Sequence, residues 1–144
     1  MSDMRRLSTQ DAFSIEQIEK NCFSHPWSQK AIEESFENNT VFFGAVCNNE
    51  IVGYCGMQIV LDQGFITNVA VLQNHRKCGI GKALIEQLLN YAKQQNLSFV
   101  TLEVRVSNLA AISLYDKMGF KNMGTRKNFY RDPTEDAYIM TRQM

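Results

Sequence analysis

Apolar and polar positions along this chain switch repeatedly between the helical period and the strand period. A short strand is expected around Arg5–Leu7. From Asp11 to Cys22, the residues Phe13, Ile15, Ile18 and Cys22 fall at roughly helical spacing and predict a helix. Pro26 disfavours helix at His25, and Ser28 can cap a second short helix running through Phe36. Val41–Cys47 and Ile51–Leu61 read as strands joined at Asn48-Asn49, because Asn tolerates positive φ. Asp62-Gln63-Gly64 reads as a turn before a strand over Phe65–Val71. Gly79–Gln95 carries the clearest helical stripe, Ile80, Leu84, Leu88 and Tyr91-Ala92, widened by Ile85 and Leu89. Phe99–Val106 alternates: Val100, Leu102, Val104 and Val106 share one face, while Thr101, Glu103 and Arg105 share the other. Ser107 or Asn108 caps a helix that ends before Gly119, and strands over Phe120–Phe129 and Ala137–Arg142 follow. The order predicts an α/β (α+β) fold with a mixed central sheet.

Composition narrows this picture. At 144 residues, with neither repeat nor low-complexity stretch, residues 1–144 read as one domain. Lysine plus arginine equals aspartate plus glutamate at 15 each, which disfavours a grip on a nucleic-acid backbone. There is no apolar run long enough to span a membrane and no export signal at the start, so a cytoplasmic protein is expected. Cys22, Cys47, Cys55 and Cys78 form no C-x-x-C pair and there are only two histidines, so no metal site is expected. The four thiols read as reduced and mostly buried.

Arg76-Lys77-Cys78-Gly79-Ile80-Gly81-Lys82 follows a predicted strand and opens the long helix. Two glycines let successive N–H groups turn toward one point, and a helix N-terminus adds unpaired donors and partial positive charge. That combination cradles a phosphate or diphosphate; a plain tight turn is the competing reading. A Walker A loop is excluded because Arg76 and Ala83 stand where Gly and Ser or Thr would be needed. A dinucleotide G-x-G-x-x-G is excluded by Leu84. By alternation alone Glu103 is a solvated strand carboxylate, with Arg105 as a possible partner. For Tyr115, core filler is the competing reading.

The R-x-x-G-x-G run opening a helix resembles the acyl-CoA loop of the GCN5-related N-acetyltransferases. So does Asn68-Val69-Ala70-Val71 before it, and so do Glu103–Asn108, Ala110–Ile112 and Leu114–Phe120 after it. The resemblance covers nearly the whole chain. It implies a mostly antiparallel sheet of six to seven strands, with about four helices on both faces. Within that superfamily, His25–Ser28, Leu102–Arg105, Arg126–Tyr130 and Glu135–Ala137 are similar to the bacterial ribosomal-protein-alanine N-acetyltransferases. Phe129 stands where a tyrosine is common in that family, Cys78 replaces a usually polar loop residue, and the segment between Tyr130 and Asp136 is short.

This resemblance implies acetyl-CoA as cosubstrate and the N-terminal peptide of a protein, a small-subunit ribosomal protein, as acceptor. A small amine or a lysine, or binding of acyl-CoA without catalysis, are the competing readings. It assigns Glu103 as general base and Tyr115 as general acid. It places Lys77, Cys78, Gly79, Ile80, Gly81 and Lys82 around the diphosphate, with Asn108 also touching the cosubstrate. Val69, Ala70 and Val71 would pair with the pantetheine arm, as an added strand, and offer an N–H to the oxyanion. This requires the next strand to splay away. His25, Trp27 and Tyr130 would shape the acceptor groove. A thiol titrates near ~8.5 and a phenol near ~10, so proton transfer from Tyr115 to a leaving thiolate would be only slightly uphill.

Overall fold

The computed structural model describes residues 2–144. In chain order they form β1 (Asp3–Arg6), α1 (Ala12–Cys22), α2 (Gln29–Glu37), β2 (Thr40–Cys47), β3 (Glu50–Val60), β4 (Gln63–Val71), α3 (Ile80–Gln94), β5 (Phe99–Arg105), α4 (Leu109–Lys117), β6 (Lys121–Tyr130) and β7 (Glu135–Gln143). Short 3-10 turns lie at Thr9–Asp11 and Gln73–His75. The seven strands make one sheet in the order β1-β2-β3-β4-β5-β7-β6. All neighbours are antiparallel except β4 and β5.

Each face of the sheet buries its own core. On one face Ile80, Leu84, Ile85 and Leu88 of α3 pack on Val41, Phe43, Cys55, Met57, Leu102 and Val104, joined by Tyr115 of α4 and Phe120. On the other, Ile15 and Ile18 of α1 and Ile32 of α2 cover Phe42, Tyr54 and Ala70. Ser28 caps α2 by accepting from Ala31 N, and Asn108, not Ser107, caps α4 by accepting from Ala111 N. The β2–β3 turn uses Asn48 and Asn49 at φ 52° and 66°, as their tolerance of the left-handed region predicts.

Two irregularities position the site. The β4–β5 pairing covers only Gln63–Phe65 against Phe99–Thr101. Beyond it the strands diverge, and the later half of β4 has an edge with no strand partner. Just past that point the β3–β4 register slips: Met57 faces Ile66 but Gly56 faces Asn68, so Thr67 is a bulge. The extra residue inverts the faces. Ile66 packs in the α3-side core, whereas Asn68 and Ala70 turn to the α1 side.

Several expectations need correction. Phe13 is exposed; the buried stripe of α1 is Ala12, Ile15 and Ile18, with Glu19 beside them. The turn before β4 lies at Leu61-Asp62, where Leu61 takes φ 55°, and Gln63 and Gly64 already pair with β3. Gly64 sits inside the strand because a Cβ there would come within 2.8 Å of Met57 Sδ. Thr101 is buried, not solvated, and donates to Met140 O at 3.1 Å. Phe120 is a buried link residue ahead of β6. Among the cysteines only Cys55 is buried; Cys78 is exposed and the other two are half-buried.

Candidate active site

The divergence of β4 from β5 opens a groove of about 460 Å³ lined from both faces of the sheet. Glu19, His25 and Trp27 line it from the α1 side, and Asn108, Ala111 and Tyr115 from the α4 side. Its walls are Ile66–Val69 of β4 and Leu102–Arg105 of β5, and Phe129, Tyr130 and Arg131 close one end. Glu103 and Tyr115, singled out separately in the sequence, therefore meet in one cavity, with Asn108 and Val69 beside them. Trp27 and Tyr130 also reach it.

Tyr115 is the most buried residue of α4, while Ala111, Leu114 and Met118 are only half-buried. All four side chains pack against the α3-side core. Tyr115 packs against Phe120 at 5.7 Å and still reaches the groove. Burial, followed by the nearby Tyr130, pushes its phenol up to about 12, so it stays protonated at neutral pH. The proton transfer is thus steeper than free phenol and thiol values suggest.

Glu103 does not pair with Arg105. Its Oε2 lies 3.8 Å from Arg126 Nε, a loose contact. Arg105 instead donates to Glu135 Oε1 and to the carbonyls of Pro133 and Arg131, and Glu135 Oε2 accepts from Ser107 N. These bonds tie the β6–β7 turn to the start of α4. Glu135 is held below the usual carboxylate range, chiefly by its hydrogen bond with Ser107. Tyr130 is pushed up to about 12 by burial and then by Glu103.

The glycine loop lies at the start of α3. Lys77 and Gly79 both take left-handed backbone, at φ 63° and 85°. Gly79 is the N-cap and has no side chain with which to cap, so the first-turn N–H groups over Ile80–Lys82 open outward. A Cβ on Gly79 would meet nothing within 4 Å, and one on Gly81 would reach only Leu114 Cδ2 at 4.0 Å. The loop is thus an open cradle of donors next to the helix that carries Tyr115, and it fits a diphosphate. Cys78 is exposed there and donates from Sγ to His75 O.

The free edge of β4 supplies the rest. Val71 O accepts from Arg76 Nε at 2.8 Å, while Leu72 N donates to Val52 O on the β3 side. Strand alternation then turns the polar groups of Val69 and Val71 to the open edge and those of Ala70 toward β3. Val69 N–H is therefore the edge donor beside the groove, and Ala70 contributes a buried side chain to the α1-side core.

One residue that lines the groove went unrecognised in the sequence. Glu19 is a 1% exposed carboxylate that accepts from Trp27 N at 3.0 Å, Tyr54 Oη at 2.5 Å and Asn68 Nδ2 at 3.1 Å. Its signal was a charge on the buried stripe of α1, one turn after Ile15. His25 Nε2 lies 2.5 Å from Asp132 Oδ2, joining the loop after α1 to the β6–β7 turn.

Among the described residues no group of three or more His, Cys, Asp or Glu could hold a metal ion, and no helix is long and apolar enough to cross a membrane. The chain is 33% identical over 142 residues to the ribosomal protein bS18-alanine N-acetyltransferase of Escherichia coli, covering 97% of this chain and 96% of that one. It is 37% identical over 122 residues to an N-alpha-acetyltransferase of Sulfurisphaera tokodaii, covering 76% and 72%. The crystal structure of the ribosomal-protein-S18-alanine N-acetyltransferase from Escherichia coli superposes with a TM-score of 0.92 at 32% identity, covering 99% of this chain and 94% of that chain. The sequence model of the acetyltransferase (GNAT) family matches residues 12–120, and the chain, which carries that family's loop, sheet and groove, belongs to it.

Proposed function

We propose that residues 1–144 act as one cytoplasmic, acetyl-CoA-dependent N-terminal acetyltransferase, whose acceptor is the α-amine of a protein beginning with alanine. Among such proteins the ribosomal protein bS18 is favoured, because full-length relatives carry that substrate in their names. The observation that carries the reading is the convergence of Glu103 and Tyr115 in a groove that crosses the sheet beside an unpaired strand edge.

Acetyl-CoA supplies the acetyl group as a thioester when bound. Lys77–Lys82 would hold its diphosphate on open N–H groups, with Lys77 and Lys82 adding charge. The edge at Val69 and Val71 would pair with the amide-bearing arm. An α-ammonium titrates near ~8, so much of it is charged at neutral pH. Glu103 takes that proton, directly or through a water, and frees the lone pair for attack on the carbonyl carbon. Val69 N–H faces the oxygen on which charge develops. As the C–S bond breaks, Tyr115 Oη gives its proton to the departing sulfur, yielding a neutral thiol, and the proton lost by the acylated nitrogen as it becomes an amide restores the phenol through solvent. Asn108 caps α4 and so fixes the helix that aims Tyr115.

Incubation with acetyl-CoA and a peptide with a free N-terminal alanine tests this. Mass spectrometry should find one acetyl group on the α-nitrogen. Acetylation only of an N-terminally blocked, lysine-bearing peptide or of small amines would replace the acceptor. Binding of acetyl-CoA without transfer to any amine would remove the enzyme reading.

A further inference from the structure

The Thr67 bulge brings Asn68 to the α1 face, where its Nδ2 donates to the buried carboxylate of Glu19. Asn68 Oδ1 is buried and has no hydrogen-bond partner among the described residues. A buried carbonyl without a donor is unfavourable, and native proteins rarely keep one without a use. The orientation of this amide is not arbitrary. The oxygens of a carboxylate only accept, so the NH₂ end must face Glu19 and the carbonyl end must face away. The Glu19 carboxylate also accepts from two further groups, Trp27 N of the loop before α2 and Tyr54 Oη of β3. Both Glu19 and Asn68 line the groove on the α1 side of the sheet, across from Tyr115.

We propose that Glu19 is a positioning residue: it locks the Asn68 amide so that Oδ1 is presented to an N–H of the incoming acceptor peptide. This deepens the N-terminal acetyltransferase reading and rests on it. The acceptor's amine or first peptide N–H is the donor that the free protein lacks at this atom. Asn68 thereby contributes to acceptor affinity without exchanging protons.

Glu19→Gln tests the lock while preserving shape. A Gln amide can also donate, so Asn68 is free to turn over and direct Oδ1 inward. With wild-type protein turning over an alanine peptide as reference, the variant should raise the peptide KM about tenfold, the effect of one well-placed hydrogen bond. Its acetyl-CoA affinity by calorimetry and its Tm should stay near wild type. The swap Glu19→Gln with Asn68→Asp should restore the peptide KM. The carboxylate then introduced on β4 accepts from the amide introduced on α1 through one oxygen and offers the other to the groove. Asn68→Ala should raise the KM by a similar factor, and it carries the test if the Gln variant does not fold. A wild-type KM in Glu19→Gln or Asn68→Ala overturns the proposal. So does a loss that follows Tm and is not recovered by the swap. Absence of turnover in the wild type instead overturns the acetyltransferase reading beneath it.

Discussion

The Arg105 guanidinium lies over the Tyr130 ring, 4.4 Å from its centroid, while its nitrogens hold Glu135 and the carbonyls of Arg131 and Pro133. One planar cation thus fixes both the ring that closes the groove and the turn beside it. Lysine cannot reproduce this, because its ammonium has no flat face and no fork of donors. Arg105→Lys should cost about 1–2 kcal/mol of stability by the usual worth of such contacts. Peptide KM should rise severalfold with little change in acetyl-CoA affinity, as steady-state kinetics and calorimetry would reveal.

Glu103→Gln removes the base but keeps the shape. General-base catalysis contributes roughly 10²–10⁴-fold, so kcat/KM at neutral pH should fall by at least 10². The deficit should shrink as pH rises past the amine's own titration, because the free amine then needs no base. A pH profile of both proteins checks this; a deficit independent of pH would leave Glu103 with a binding role only.

Tyr115→Phe should lower kcat about 10²-fold without weakening acetyl-CoA binding. Stability gives a second readout. The folded phenol titrates near 12 against 10.0 for a free one, and Tyr130 behaves alike. Above pH 10 the unfolded chain has released these protons and the folded chain has not. The stability these two phenols contribute is therefore complete below 10 and declines as pH rises toward 12. Thermal melts across that window should show the decline, with a shallower slope in Tyr115→Phe.

Gly79→Ala meets no steric obstacle but must hold φ 85°. Left-handed backbone costs an alanine about 1 kcal/mol, which predicts a Tm lower by about 2–4 °C. The added methyl stands in open space at the loop that would hold the diphosphate, and acetyl-CoA affinity should drop about tenfold by calorimetry.

What could be read from the sequence was what local stereochemistry decides. Asn48-Asn49 and Gly79 announce positive φ, Ser28 announces a cap, and the α3 stripe announces its buried face. Glu103, Asn108 and Tyr115 were singled out only through the family resemblance, since alternation alone makes Glu103 a solvated carboxylate and Tyr115 core filler. Glu19 was not legible, since its donors come from residues 8, 35 and 49 positions away and nothing local marks it except a charge on an apolar stripe. Phe13 was misplaced because helical spacing cannot say which edge of a stripe meets the sheet. The partnership of Arg105 with Glu135 depends on β7 lying beside β5, which is a matter of topology. The inversion at Thr67 is equally invisible to a period-2 pattern.

The parting of β4 and β5 after three residue pairs leaves a window through the sheet, and the two reactants can approach it from opposite sides. Neither has to leave before the other arrives. None of the groove's lining residues is a cysteine, so no thiol stands there to carry the acyl group between half-reactions. Kinetics through a ternary complex, with intersecting rather than parallel double-reciprocal lines, follow from that window.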